Sequence, residues 1–241
     1  MTSDATTSDA VTPATAKLVR GAHHVLLDFD GPICRLFAGL DEPVKAQWEE
    51  EWLEARRLGG ALCADEREGQ GPQPDRALVR DLEKRLTEKE LQAVPTAWPT
   101  PWADPLILTW HAVGARLAVT TNNSPEAARQ YIDSRGLSGC FEQHIYGRTQ
   151  DLSLLKPHPH RLRQALAAMG AAPGDALMIG DAPSDHAAAH AAGVPFLGYA
   201  RNDEKEARLR AVGAAHVVRT LAPVLEIVRS LPGRDSSGPG R

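Results

Sequence analysis

The sequence predicts an α/β protein with a doubly wound parallel sheet, in which helices cover both faces of the strands. Short apolar runs without polar alternation, such as residues 24–27, are typical of strands that are buried on both faces. These runs alternate along the chain with helical patterns. Several of them end abruptly in polar residues, and ligands of open parallel sheets bind beyond the carboxyl ends of the strands.

The chain begins with a polar segment, residues 1–20, which is rich in Thr, Ser, Ala and Asp. It has neither a basic start nor a continuous apolar stretch, so the pattern predicts a disordered leader and not a signal peptide. At the other end, residues 231–241 are rich in Gly, Ser and Pro and are also predicted to be disordered.

The first predicted strand lies within residues 21–35 and ends in Asp28-Phe29-Asp30-Gly31. Side chains alternate along an extended backbone, so the two carboxylates of Asp28 and Asp30 face the same small volume. Two negative charges at such a distance are costly unless a cation lies between them. The pattern therefore indicates a cation-dependent site, although an Asp-rich turn or helix N-cap is the alternative.

A helical insertion is predicted directly after this strand, over residues 36–101. Two charged amphipathic patterns, residues 43–58 and 75–91, predict its helices, and the Gly- and Pro-containing residues 69–72 are expected to join them. The proline-rich residues 98–102 are expected to return the chain to the core.

The remaining core, residues 102–230, contains two more apolar runs that end in polar residues. Residues 115–121 form a β-rich run that stops at Thr121-Asn122, before a predicted helix. Residues 176–181 end in Gly180-Asp181, with Asp185 one helical turn later. Lys156-Pro157 lies between them and precedes a helical pattern over residues 158–169. Further strands are predicted near Ile145, Phe196 and Val217.

The order Asp-x-Asp-Gly, Thr-Asn, Lys-Pro and Gly-Asp-x-x-x-Asp resembles the haloacid dehalogenase superfamily of phosphatases and phosphotransferases. Four separate motifs occur in the family's order, and the resemblance covers residues 23–218 apart from the insertion. It implies a Rossmann-like core with a small helical cap that closes over the site and selects the leaving group. The residues that match the family's motifs are Asp28, Asp30, Thr121, Lys156, Asp181 and Asp185.

The residue types fit phosphoryl transfer, which needs an in-line nucleophile, charge neutralisation and an acid for the leaving group. Asp28 is the candidate nucleophile, through an aspartyl-phosphate intermediate, and Asp30 is the candidate acid and base. Thr121, Asn122 and Lys156 are the candidate phosphate-binding residues, with Thr121 and Lys156 also counted as catalytic. Magnesium suits a set of oxygen ligands, for which the candidates are Asp28, the main-chain carbonyl of Asp30, Asp181 and, further out, Asp185.

Several alternatives remain open at these positions. Thr120 could be the functional hydroxyl in place of Thr121, Asp185 could be a helix-start charge, and Lys156 alone would be an ordinary surface lysine. Within the family, Asp30 disfavours dehalogenation, because a halide needs no protonation. Hydrolases and mutases share these motifs, and a catalytically silent binding protein of the same fold is the third reading. Lys45 lies in the general region where a phosphonate-cleaving member carries a Schiff-base lysine.

The insertion leaves the substrate undetermined, beyond the expectation of a small phosphorylated metabolite. Arg35, Lys45, Arg56 and Arg57 could meet an anionic substrate, but the last two also lie at helical spacings from glutamates that make ordinary surface pairs. A response-regulator receiver would carry its phospho-acceptor on a later strand. A dinucleotide-binding protein would carry Gly-x-Gly-x-x-Gly after the first strand, and this chain does not.

Composition adds a few expectations. The net charge of −4 over 241 residues gives no support to nucleic-acid binding, and no apolar run is long enough to span a membrane. The odd set Cys34, Cys63 and Cys140 lacks Cys-x-x-Cys spacing, which argues against disulfides and a zinc site. His158 and His160 are expected to be loop and helix-start residues. We expect a cytoplasmic enzyme that is a monomer or a homodimer.

Overall fold

A computed structural model describes residues 11–68 and 76–233, without the side chains of residues 60–68 and 76. Within these residues, the strands are β1 (His24–Leu27), β2 (Cys34–Arg35), β3 (Trp98–Pro99), β4 (Arg116–Thr120), β5 (Ile145–Tyr146), β6 (Ala176–Gly180), β7 (Phe196–Tyr199) and β8 (Val217–Val218). Six of them form one parallel sheet in the order β5-β4-β1-β6-β7-β8. Strands β2 and β3 pair separately, as an antiparallel ribbon.

Helices connect the strands and cover the sheet. They are α1 (Pro13–Gly21), α2 (Glu42–Glu68), α3 (Arg76–Ala93), α4 (Ala103–Ala112), α5 (Pro125–Ser134), α6 (Ser138–Phe141), α7 (His160–Met169), α8 (Pro183–Ala192), α9 (Asp203–Ala211) and α10 (Ala222–Arg229). The predicted α/β fold with a parallel sheet is confirmed. His158 lies in the turn before α7 and His160 begins that helix, as expected.

Alternate side chains of the central strands enter two different cores. In β1, Val25 and Leu27 pack in the larger core, together with side chains of α1, α4, α5 and α10. Leu26 packs in the second core, with side chains of α7 and α8. Because both faces of the sheet are buried, the central strands need apolar residues at every position, which is the unbroken pattern seen in the sequence.

The predicted insertion contains α2 and α3, which together we call the helical insertion. Its own small core joins Ala55, Leu58, Leu82 and Leu86 to Leu152 and Leu155 of the core. At Gly59, helix α2 approaches so closely that a Cβ would lie 2.3 Å from the carbonyl oxygen of Leu152. The α2–α3 junction at residues 69–72 lies outside the described residues. Residues 98–102 include β3, which pairs with β2 at the base of the helical insertion.

The prediction of a disordered leader over residues 1–20 is wrong for its second half. Thr12 caps α1 by accepting a hydrogen bond from the amide of Thr15 at 3.2 Å, and Pro13 occupies the first turn. Val19 is fully buried in the larger core. A short polar helix is marginal by itself, so the contact with the C-terminal part of the chain stabilises it, and composition cannot reveal that contact.

Three further expectations concern the cysteines, the C-terminal tail and membrane-spanning segments. Cys34 and Cys140 are free buried thiols, and the side chain of Cys63 lies outside the described residues. Leu231 packs partly against the larger core, so the predicted tail is ordered at its first residue, and residues 234–241 are not described. In the described parts of the chain, none of the helices combines the length and apolarity that a membrane crossing needs.

Candidate active site

The candidate site lies at the carboxyl edge of the three adjacent strands β4, β1 and β6. Strand β1 pairs in parallel with β4 on one side and with β6 on the other. The residues that directly follow these strands, Thr121, Asp28 and Asp181, therefore emerge side by side. Asp28 is held in place by its own amide, which donates to the carbonyl of Ile179 at 2.9 Å.

Three carboxylates converge at this edge. Asp28, Asp181 and Asp185 each offer an oxygen, and these oxygens all lie within 4.8 Å of one another. All three residues are buried. Asp185 reaches back from the first turn of α8 and accepts hydrogen bonds from the amides of Asp181 at 3.1 Å and Ala182 at 3.0 Å. Oxygen ligands of this kind and number suit a hard divalent cation such as Mg²⁺.

Lys156 is buried at the centre of this cluster. Its ammonium group donates to Asp28 Oδ1 and to the carbonyl of Thr120, both at 2.9 Å, and lies 2.5 Å from Asp185 Oδ1. Burial lowers the pKa of Lys156, but the carboxylates of Asp185 and Asp28 outweigh burial, and the pKa is raised. The lysine therefore stays protonated and offsets part of the negative charge. The Lys156-Pro157 peptide bond is cis.

Burial raises the pKa of two carboxyl groups of the cluster, those of Asp181 and Asp185. The pKa of Asp181 is raised to about 6 by burial, with Asp28 adding to the shift and Lys205 opposing it. The pKa of Asp185 is raised to about 7 by burial and by Asp28, against the effect of Lys156. Burial, which disfavours the charged form of a carboxyl group, is the main cause of both shifts.

Asp30 lies beside the same cluster and is partly exposed. Its Oδ1 accepts a hydrogen bond from the amide of Leu36 at 2.9 Å, which fixes the turn that follows β1. Burial raises its pKa to about 6, partly offset by that hydrogen bond and reinforced by Asp28. Asp28 and Asp30 line one cavity of about 230 Å³, together with Lys156, Asp181 and Asp185. We call this the reaction cavity.

The two neighbouring threonines point in different directions. The hydroxyl of Thr120 donates to the sulfur of Met178 at 3.4 Å, within the second core. The hydroxyl of Thr121 donates to Asn123 Oδ1 at 3.0 Å and accepts from the amide of Asn123 at 3.1 Å. Thr121 is therefore the one whose hydroxyl lies in the loop beyond the strand.

Asn122 links the two loops that carry Thr121 and Lys156. Its Oδ1 accepts from the amide of Lys156 at 2.7 Å, and its Nδ2 donates to the carbonyl of Lys156 at 3.1 Å. Both polar ends of the side chain are thus engaged with the main chain of the lysine. Asn122 also lines the reaction cavity, so it combines this bracing contact with a position at the site.

A buried ion pair that the sequence did not reveal supports these loops. Arg148, which follows β5, donates to Glu90 Oε1 at 2.8 Å and to Glu90 Oε2 at 3.0 Å, and both side chains are 0% exposed. Glu90 also accepts from Asn123 Nδ2 at 3.0 Å and from the amide of Ser124 at 2.7 Å. Arg148 donates in addition to the carbonyl of Asn122 at 3.0 Å. Nothing in the local sequence marks this pair, because its members are 58 positions apart.

Lys205 is a second residue that sequence reasoning missed. It lies in the first turn of α9, after β7, and its ammonium group forms an ion pair with Asp181. The order of the strands in the sheet brings β7 beside β6, and this order was the missing information.

The basic candidates of the helical insertion are divided between two cavities. Arg56 lines the reaction cavity, with Trp48 and Trp52 of the same helix. Lys45 pairs with Glu42 at 2.7 Å and lines a second cavity, as does Arg35. Arg57 is exposed on α2 and lines neither of these two cavities.

Comparisons with known proteins agree with this arrangement. A family model described as haloacid dehalogenase-like hydrolase matches residues 22–193. A phosphoglycolate phosphatase from Rhodospirillum rubrum is 39% identical over 105 residues, which cover 42% of this chain and 43% of that protein. A phosphoserine phosphatase from Thermus thermophilus is 34% identical over 123 residues, which cover 51% of this chain and 42% of that protein. The chain thus spans less than half the length of these two curated relatives.

Solved structures extend the likeness to nearly the whole fold. A predicted phosphatase from Clostridium acetobutylicum superposes with a TM-score of 0.65 and 18% sequence identity. The superposition covers 87% of this chain and 99% of that one. At this level of identity the likeness shows the fold alone.

Proposed function

The chain belongs to the haloacid dehalogenase-like hydrolase family, and on that premise we propose that it is a magnesium-dependent phosphomonoesterase. Its substrate would be a small phosphorylated metabolite. The observation that carries the proposal is the position of Lys156, whose ammonium group bridges Asp28 and Asp185 beside Asp181. A buried cation in contact with a candidate nucleophile suits a site where a phosphoryl group must be bound and neutralised.

The carboxylate oxygens of Asp28, Asp181 and Asp185 would hold the metal, and their spacing within 4.8 Å fits a single ion. When bound, Mg²⁺ would neutralise charge on the phosphoryl oxygens and on the carboxylates. The three carboxylates outnumber Lys156 and Lys205, the two lysines that pair with them, so a bound cation would balance the remaining negative charge.

In the first step, an Asp28 carboxylate oxygen would attack phosphorus while the bond to the substrate's alcohol oxygen breaks. Asp30 would donate its proton to that leaving oxygen, so the alcohol departs neutral and an aspartyl phosphate remains. The pKa of about 6 for Asp30 supports this role, because about a tenth of these carboxyl groups are protonated at pH 7, far more than for an ordinary aspartate.

In the second step, Asp30, now ionised, would take a proton from a water molecule that attacks the aspartyl phosphate. The bond between Asp28 and phosphorus would break, releasing inorganic phosphate and restoring both carboxyl groups. Lys156 would bind a phosphoryl oxygen throughout. Thr121 would donate its hydroxyl to another oxygen, which requires that it release its hydrogen bond to Asn123.

The test is phosphate release from a panel of small phosphate monoesters, with and without Mg²⁺. We expect magnesium-dependent release that Asp28→Asn reduces by about 10³-fold or more, because the substituted amide is a poor nucleophile. Asp81→Asn is the matched control, since Asp81 is an exposed aspartate on α3. Release that persists in Asp28→Asn, with the fold intact, would refute the nucleophile assignment. Transfer of phosphate to a second hydroxyl, without release, would identify a mutase instead.

A further inference from the structure

A second cavity adjoins the reaction cavity and has a volume of about 270 Å³. The two cavities share Asp30, Trp48 and Asp181 in their walls. The reaction cavity contains Asp28 and Lys156, whereas the second cavity contains neither. Asp30 therefore stands at the junction between the candidate nucleophile and a separate space, which we call the leaving-group cavity.

Four basic side chains from four different segments line the leaving-group cavity. They are Arg35 from β2, Lys45 from α2, Arg201 from the loop after β7 and Lys205 from α9. Each lysine already has a carboxylate partner, Glu42 for Lys45 and Asp181 for Lys205. Among the residues that the structure describes, no carboxylate lies within 4 Å of either arginine's guanidinium group.

The two arginines differ in exposure and in their contacts. Arg35 is half-buried, and its guanidinium group lies over the ring of Trp98, 5.2 Å from the ring centroid. Arg201 is exposed at the rim. Burial and, next, the carboxylate of Asp181 raise the pKa of the nearby Tyr199 phenol, and the guanidinium groups of Arg201 and Arg35 oppose that rise. Arginine side chains offer paired donors that match the geometry of a carboxylate or a phosphate.

We propose that the leaving-group cavity binds a second anionic group of the substrate, a carboxylate or a phosphate, through Arg35 and Arg201. This proposal rests on the proposed phosphomonoesterase function and assigns its substrate class: small phosphate monoesters whose alcohol part is itself negatively charged. In-line transfer puts the nucleophile and the leaving oxygen on opposite sides of phosphorus. With Asp28 in one cavity and the acid Asp30 at the junction, the alcohol part extends into the other cavity.

The size of the cavity sets a limit on this alcohol part. Pockets for drug-sized ligands range from about 300 to 1,000 Å³, so 270 Å³ suits a leaving group of only a few heavy atoms. Its walls hold the carboxylates of Asp30, Glu49 and Asp181 besides the four basic residues. They also include Trp48 and Phe37, which give a short carbon chain an apolar surface to contact.

The experiment compares three substrates that share a two-carbon alcohol part. They are 2-phosphoglycolate, its neutral amide, and the bisphosphate of ethane-1,2-diol. We expect the wild-type protein to hydrolyse one or both anionic substrates with a kcat/KM at least about tenfold above that of the amide. The faster anionic substrate distinguishes a carboxylate from a phosphate as the preferred group.

The variants Arg201→Gln and Arg35→Gln test the two binding residues. Each should lower kcat/KM for the preferred anionic substrate by about tenfold, mainly through KM, and should leave the amide nearly unchanged. Arg201→Lys should restore part of the loss, because it keeps the charge without the paired donors. Arg129→Gln is the matched control, since Arg129 is exposed on α5 and lines neither cavity.

The outcomes separate this proposal from the function on which it rests. Hydrolysis of the amide and the anionic substrates at equal rates, or equal loss for both in Arg201→Gln, would overturn the anionic subsite and leave the phosphomonoesterase standing. Absence of turnover with all three substrates and with the wider panel would overturn both. If Arg35→Gln does not fold, the exposed Arg201 still decides the question.

Discussion

Two glycines let the main chain run directly against the carboxylates of the candidate site. A Cβ at Gly31 would lie 2.3 Å from Asp181 Cγ, and a Cβ at Gly180 would lie 2.5 Å from Asp185 Cβ. Gly31 also has a φ of 134°, a conformation that favours glycine. Any side chain at these positions would displace a carboxylate that we propose as a metal ligand. Both glycines are therefore part of the geometry of the site.

Gly180→Ala tests this close approach. The added methyl group must push Asp185 away, so we expect a loss of about 1–3 kcal/mol in the free energy of unfolding and weaker Mg²⁺ binding. Urea denaturation and isothermal titration with Mg²⁺ measure the two effects. Gly139→Ala is the control, because a Cβ there has no neighbour within 4 Å. Equal behaviour of the two variants would show that Asp185 moves aside without cost.

At the scale of elements, the helical insertion is attached to the core at two places. The first attachment is apolar: side chains of α2 and α3 pack against Leu152 and Leu155, in the segment just before Lys156. At the end of α3 it is ionic, through Glu90 and Arg148. The second attachment also holds Asn122 and Asn123 at the end of β4. A change in the position of α3 would therefore reach the loop that carries Thr121.

Glu90→Gln tests the ionic attachment. The substitution keeps the shape but leaves Arg148 without its main counter-charge in a buried place, so we expect a loss of about 3 kcal/mol in the free energy of unfolding. Glu88→Gln, on the same helix but exposed, removes a surface pair with Lys84 and should cost less than about 0.5 kcal/mol. Urea denaturation of both variants is the measurement. A small and equal effect in the two would mean that hydrogen bonds from the substituted amide replace the ion pair.

At the scale of the whole molecule, the carboxyl edge of the sheet concentrates charge that folding must accommodate. Asp30 and Asp181 have pKa values of about 6, and Asp185 has a pKa of about 7. These values exceed the 3.9 or so of an unfolded aspartate, so the native state binds protons more tightly than the unfolded state does. Their contribution to stability is present below about pH 4 and is lost as pH rises through about 6 to 7.

Metal binding should reverse this loss. In the metal-free protein, we expect these groups to make the free energy of unfolding fall between about pH 4.5 and about pH 7.5. Mg²⁺ competes with protons for the same oxygens, so it should raise Tm more at about pH 7.5 than at about pH 5. At a concentration of about 100 Kd the gain would be about 2.7 kcal/mol. Calorimetry with and without MgCl₂, at matched ionic strength, measures it.

The control for this prediction is Asp181→Asn, which removes one carboxylate of the acidic cluster. It should abolish most of the Tm increase that Mg²⁺ produces. A Tm increase of the same size at both pH values, or one retained in Asp181→Asn, would indicate that the ion binds elsewhere.

Local sequence determined the six strands of the parallel sheet, the polar residues at the ends of its central strands and the two helices of the insertion, but not β2 and β3. Residues 24–27 were predictable as a buried strand because burial on both faces removes polar alternation. The charged amphipathic patterns predicted α2 and α3, although α2 begins at Glu42 and extends to Glu68, beyond the predicted end at residue 58. Asp28, Asp181 and Asp185 could be proposed as neighbours because parallel strands that end in polar residues share one edge.

Only the tertiary structure decided the order of the strands and the contacts that depend on it. The position of β7 beside β6 brings Lys205 to Asp181, and the fold brings Arg148 to Glu90 across 58 positions. The same holds for α1, whose polar sequence predicts disorder and whose stability comes from packing against the other end of the chain. Local propensity and periodicity report the backbone of each segment. Which distant segments a side chain contacts depends on the packing of all elements together.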